Sequence, residues 1–202
     1  MNLTGTLIDD LYEMQDLFAE GGMSYLYRAY DRVRGISVAI KVFDPSTVSN
    51  RIEDVIRYQG VIEKISSAAH PNIIGIIGSG SLARAFGPPL HYIVMELLPA
   101  GNLLNILNAG RSFSPGEAAE ITLQTCRGLD AAHRLGVIHG DIKPENILLD
   151  EGGENINVKL IDFGLSHIKK PVESAYSREA SGTFCYMPPE QAGSSARKRS
   201  GS

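Results

Sequence analysis

Between Leu11 and Val42 the apolar residues come in short alternating bursts, Tyr25 to Tyr27 and then Val38 to Val42, separated by the polar turn Arg34-Gly35. Alternation on either side of a turn predicts an antiparallel hairpin, with Gly21-Gly22 as a flexible tip upstream. From Ser49 to Ala69 the period changes: Ile52, Val55, Ile56, Ile62 and Ile65 recur at helical spacing and predict one amphipathic helix. Ile73 to Ile77 and Tyr92 to Leu98 are β-branched apolar runs bounded by Gly and Pro, as further strands of the same sheet would be.

Pro99-Ala100-Gly101 ends the sheet pattern, and the next stretch reads as largely helical. Ser114-Pro115-Gly116-Glu117 is a capping box with proline at the first helical position, where its missing N–H costs nothing. The helix that starts there should turn Ala118, Ile121, Thr125, Leu129 and Ala132 inward and stop after Leu135, at Gly136. Val137-Ile138, Ile147 to Leu149 and Val158 to Ile161 are short strand-like pieces between polar turns. Gly193 to Ser202 has no apolar residue beyond Ala196 and is expected to be a disordered tail.

Composition narrows the class. The 202 residues are 43% hydrophobic and 21% charged, which suits a compact core, and no internal repeat is evident. A formal net charge of -4 and a pI near 5.7 provide no global basic field, so nucleic acid is not an expected partner. Cys126 and Cys185 are too few for a disulfide framework or a zinc site, which points to a reducing cytoplasm. The first twenty residues carry Asp9, Asp10, Glu13 and Asp16 and no Lys or Arg, unlike a signal peptide, and no apolar run approaches the roughly 20 residues of a membrane span.

The chemistry concentrates in His139-Gly140-Asp141-Ile142-Lys143-Pro144-Glu145-Asn146, followed sixteen residues after Asn146 by Asp162-Phe163-Gly164. Phosphoryl transfer needs a group to receive or orient the hydroxyl proton, metal ligands for the triphosphate, and cations against developing charge. This stretch offers all of them. Upstream, Val38-Ala39-Ile40-Lys41 ends an apolar strand in a lysine; downstream stands Gly182-Thr183-Phe184-Cys185-Tyr186-Met187-Pro188-Pro189-Glu190. With these motifs in this order, from about Tyr12 to Gln191, the sequence resembles the protein kinase family, and more narrowly the eukaryotic-like Ser/Thr protein kinases of bacteria.

The resemblance implies an α+β, bilobal kinase-like fold: a small lobe with hinge over residues 1–98, a partial, mostly helical large lobe over 99–192, and a tail over 193–202. It implies ATP and Mg2+ as cofactors and a protein Ser/Thr hydroxyl as acceptor. Asp141 would orient that hydroxyl and accept its proton; with an ordinary carboxylate pKa near 4, positioning should matter more than abstraction. Lys143 would steady the γ-phosphate. Asn146 and Asp162 would be the metal-binding pair, hard oxygen ligands suited to magnesium. Lys41 would bind the α- and β-phosphates. Met95 would limit the back of the adenine pocket, Glu96 and Leu98 would offer backbone groups to the base, and Ala39 and Leu148 would sandwich the ring. Leu26, with Ala19, Gly21 and Ser24, would belong to the phosphate-covering loop.

Several positions depart from the family. The loop Ala19-Glu20-Gly21-Gly22-Met23-Ser24 keeps only the middle of three glycines, which predicts a weaker ATP clamp. An ungapped reading puts Val61 where the family has the helix glutamate that pairs with the strand lysine, and Glu63 would face away from it. Gly140 stands where the family usually has an arginine that pairs with a phosphorylated activation loop, so Ser174, Tyr176, Ser177 and Ser181 are expected to matter less. Pro188 replaces the alanine of A-P-E, and the family's further helices are missing after Gln191, so the chain reads as truncated there. Besides an active Ser/Thr kinase, two other readings remain: an ATP-binding pseudokinase or interaction module, and an inactive truncated fragment.

Overall fold

The fold was taken from a computed structural model that describes residues 2–21, 24–44, 52–98, 101–150, 156–163 and 186, with backbone only for 52–59. Strands β1 (Leu7–Ile8), β2 (Tyr12–Gly21), β3 (Ser24–Asp31), β4 (Ile36–Phe43), β5 (Ile76–Leu82) and β6 (Leu90–Glu96) form one antiparallel sheet in the order β1-β2-β3-β4-β6-β5. Helix α1 (Ile52–Ala68) lies between β4 and β5 in the chain. After the hinge come β7 (Gly101–Asn102), α2 (Leu103–Asn108), α3 (Pro115–Arg134), a 3-10 turn Pro144–Asn146, and strands β8 (Ile147–Asp150) and β9 (Asn157–Leu160). Strands β7, β8 and β9 form a second antiparallel sheet.

The predicted hairpin is β3–β4, paired from Ser24↔Phe43 to Asp31↔Ile36 around the turn containing Gly35. Its two-residue period divides the large sheet into two faces. Val38, Ile40 and Val42 join Tyr27, Ala29, Tyr92 and Val94 in an outer cluster closed by Ile8, Tyr12 and Met14. On the opposite face Phe43, Ile93 and Met95 pack with Ile62 of α1 and with Ile74. A third cluster forms the core beneath, where Ile65 meets Ile73, Ile121, Ala132, Val137, Leu149, Val158, Leu160 and Phe163.

The capping box is present as read: Ser114 Oγ accepts from the Glu117 N–H, and the Glu117 carboxylate accepts from the Ser114 N–H. Helix α3 ends at Arg134, with Leu135 as its cap. Its buried residues are Ile121, Gln124, Thr125, Gly128 and Ala132; Ala118, expected inside, is exposed because it lies in the first turn, ahead of the packed stretch.

Other expectations need correction. The run Ile73 to Ile77 is not one strand: β5 begins at Ile76, while Ile73 makes a parallel bridge to Leu160. Its apolar character serves two partners, β6 on one side and β9 on the other, and a pattern cannot say where the exchange occurs. Strand β6 runs from Leu90 to Glu96, ahead of the predicted Tyr92 to Leu98. Val137-Ile138 forms no strand; Val137 is buried and Ile138 is 69% exposed. The Gly22-Met23 tip, Pro99-Ala100, the segment from Gly164 to Cys185, the Pro188-Pro189-Glu190 turn and the tail from Gly193 to Ser202 lie outside the described residues.

Candidate active site

Lys41 points from the inner face of β4, opposite Leu26 of β3 and Ile93 of β6. Its Nζ lies 2.5 Å from Asp162 Oδ1, with the two side chains 11% and 19% exposed. Asp162 follows β9 in the left-handed region, φ +68°, a conformation that costs most L-residues roughly 1–2 kcal/mol but that Asp tolerates better. Val61, at the position of the expected helix glutamate, packs against the apolar core that contains Ile65 and Phe163, and Glu63 is exposed.

The catalytic-loop residues converge through the backbone. His139 is 1% exposed, its ring tilted at 57° against Phe163 with centroids 4.6 Å apart. Its Nε2 donates to the Ile161 carbonyl at 2.8 Å, so Nδ1 is the ring acceptor that receives the Asp141 N–H at 3.3 Å. Asn146 is buried in the 3-10 turn; Nδ2 donates to the Asp141 carbonyl at 2.7 Å, and its own carbonyl accepts from the Ile161 N–H at 3.1 Å. Two of these bonds, from His139 to the Ile161 carbonyl and from the Ile161 N–H to the Asn146 carbonyl, fasten the loop to the segment bearing Asp162, and neither uses a carboxylate. Lys143 Nζ stands 3.6 Å from Asp141 Oδ2. Gly140 adopts φ +76°, where a residue with a Cβ would be strained.

Leu26, Met95, Leu98 and Leu148 share one apolar cluster between the sheets, and Ala39 is paired with Met95 across β4 and β6. Ala19, Gly21 and Ser24 stand at the exposed end of the β2–β3 hairpin, with Gly21 opposite Ser24 and Ala19 opposite Leu26. The Glu96 carboxylate is engaged with the backbone and with β9: Oε1 accepts from the Gly75 N–H at 2.7 Å and from Lys159 Nζ at 2.5 Å. Sequence reasoning named neither Lys159 nor the buried amides Asn72 and Gln124, all of which hold the strand leading to Asp162.

The donor set can be tested against a metal on its chemistry. Asp162 and the Asn146 amide supply hard oxygens, and among the described residues no group of three or more His, Cys, Asp or Glu side chains could form a self-contained cage. Such a pair fits a hard divalent cation that takes its other ligands from phosphate and water. Lys41 stands on the strand beside Asp162, and Lys143 on the loop beside Asp141.

The sequence matches the protein kinase domain family over residues 12–201, and the chain belongs to that family. It is 32% identical over 188 residues to a probable serine/threonine-protein kinase of Corynebacterium efficiens, covering 92% of this chain and 28% of that protein. It is 33% identical over 201 residues to the serine/threonine-protein kinase PrkC of Bacillus subtilis, covering 98% and 29%. The chain spans less than a third of the length of these relatives. The fold also resembles the PknI kinase domain of Mycobacterium tuberculosis, with a TM-score of 0.67 at 22% identity over 81% of this chain and 63% of that one.

Proposed function

We propose that this chain transfers the γ-phosphoryl group of ATP to serine or threonine hydroxyls of protein substrates. The observation that supports the reading is that Lys41 reaches Asp162 while Asn146, bonded to Asp141 and to Ile161, ties the loop bearing Asp141 and Lys143 to the segment bearing Asp162. The hydroxyl oxygen bonds to the γ-phosphorus as the bond to the bridging oxygen breaks, and ADP leaves. Asp141 orients the attacking hydroxyl and receives its proton. Lys143, beside it, meets the charge of the transferring group, while Lys41 holds the inner phosphates. Magnesium, held by Asp162 and the Asn146 oxygen, would neutralise phosphate charge. Ala39, Leu148, Leu26 and Met95 would enclose the adenine, and backbone groups of Glu96 and Leu98 would bond to it.

The working division is a small lobe over residues 1–98 and a large-lobe portion over 99–192. Cytoplasmic action is part of this reading, supported by the sparse cysteines; among the described residues no helix is long and apolar enough to cross a membrane. Transfer of radiolabel from ATP to a generic basic protein tests the activity. The expected result is magnesium-dependent labelling of Ser and Thr that Asp141→Asn abolishes. Absence of both labelling and nucleotide binding in folded protein would overturn the proposal.

A second reading, a nucleotide-binding pseudokinase, is favoured by one observation: Val61 is apolar and packs in the core, so α1 offers Lys41 no carboxylate at that position. Magnesium-dependent nucleotide binding without transfer would select it.

A further inference from the structure

Two buried amides meet behind the strand that leads to Asp162. Gln124 of α3 and Asn72, in the connection from α1 to β5, are 8% and 7% exposed. Gln124 Oε1 accepts from Asn72 Nδ2 at 3.0 Å and from the Val158 N–H at 2.8 Å. Gln124 Nε2 donates to the Ile156 carbonyl and to Glu120 Oε1, both at 2.8 Å. The amide thus pairs with two alternate residues of the strand segment as a neighbouring strand would. Asn72 continues that edge: Nδ2 donates to the Val158 carbonyl at 3.0 Å, and its own carbonyl accepts from the Leu160 N–H at 3.0 Å.

Strand β9 has four residues and is paired on its other edge with β8 alone. On the edge facing α3 its backbone partners are confined to the end at Leu160, and a slip of one residue would turn Val158 and Leu160 out of the core and move Asp162 away from Lys41. Burying two amides is costly unless every donor and acceptor is used, and Gln124 uses both of its donors and accepts twice. Packing is close as well: a Cβ on Gly128, one turn along α3, would stand 2.7 Å from the Asn72 carbonyl. An apolar pair would fill this space without specifying which backbone groups of the strand face it.

We infer that Gln124 and Asn72 are positioning residues that set the register of β9 and thereby place Asp162 for its metal and for Lys41. The inference rests on the kinase reading of the site. Since Asn72 belongs to the connection that follows α1, the same pair ties the small-lobe helix to the metal-binding strand.

The test measures binding of a fluorescent ATP analogue to the full chain, with magnesium and with chelator, beside thermal melts of the free protein. Gln124→Glu replaces the donor facing the Ile156 carbonyl by an acceptor at the same size. It is expected to weaken magnesium-dependent binding by about tenfold, as loss of a group supporting a metal ligand typically does, while binding in chelator stays nearly unchanged. Gln124→Met, which keeps length and deletes the hydrogen bonds, should act in the same direction and serves if the first variant does not fold. A folded variant with the wild-type magnesium dependence would overturn the inference, and so would equal losses with and without magnesium. Failure of both variants to fold would make the pair a requirement of folding and overturn it too. Wild-type protein that shows no magnesium-dependent binding would instead overturn the kinase reading on which the inference rests.

Discussion

Lys41 and Asp162, 121 positions apart, meet at 2.5 Å, and this contact joins the small-lobe sheet to the segment after β9. Both side chains are largely buried, so neither charge is well hydrated, and removing one strands the other. Lys41→Met and Asp162→Asn should each lower the melting temperature without nucleotide. The double variant should lose less than the sum, with a coupling of about 1 kcal/mol in a double-mutant cycle. Additive losses would show that the contact contributes nothing to stability without nucleotide.

The two acidic residues should separate by role. Asp162→Asn removes the carboxylate charge from the proposed metal-binding pair and should suppress the stabilisation that magnesium adds to ATP in a thermal-shift titration. Asp141→Asn, which faces the acceptor side beside Lys143, should leave that stabilisation intact while abolishing phosphotransfer. Equal loss of ATP affinity in both variants would refute the assignment.

Gly140 sits at φ +76° between His139 and Asp141. Gly140→Ala should destabilise the protein by about 1 kcal/mol, because the left-handed region crowds a Cβ, and urea midpoints would measure it. Gly140→Arg should carry the same backbone cost, so restoring the residue usual in the family is expected to reduce stability here.

One hydroxyl, Tyr92, and one carboxyl, Asp31, contribute to the pH dependence of stability. Burial first, and then its hydrogen bond to the Asp9 carboxylate, push the Tyr92 hydroxyl above its ordinary 10.0. The folded chain keeps this proton where the unfolded chain releases it, so the contribution is complete below pH 10 and is lost as pH rises beyond it. At the acid end, the Arg34 N–H first, and then its guanidinium, hold Asp31 below its ordinary 3.8. That contribution is present above about pH 4 and is lost as pH falls through the depressed value. Denaturation curves against pH should therefore show a shallower alkaline limb in Tyr92→Phe and a shallower acid limb in Asp31→Asn; unchanged limbs would refute each assignment.

What the sequence by itself determined is what neighbours along the chain decide. Ser114, Pro115 and Glu117 lie within one helical turn, so the start of α3 was legible from four letters. The β3–β4 hairpin was legible because its partners flank one turn and keep a two-residue period. The catalytic loop and the Asp162 segment were legible as motifs, since the resemblance is carried by the order of residue types. Only the tertiary structure decided what those residues touch. Nothing local distinguishes Gln124 from a solvated polar residue on α3, or tells that Ile73 leaves the large sheet to bridge Leu160. Lys159 reads as an ordinary strand lysine until β9 is brought against Glu96. The physical reason is that hydrogen-bond partners of buried polar groups are chosen by packing across tens of residues, and the pattern of apolar positions records which face is buried without recording what meets it there.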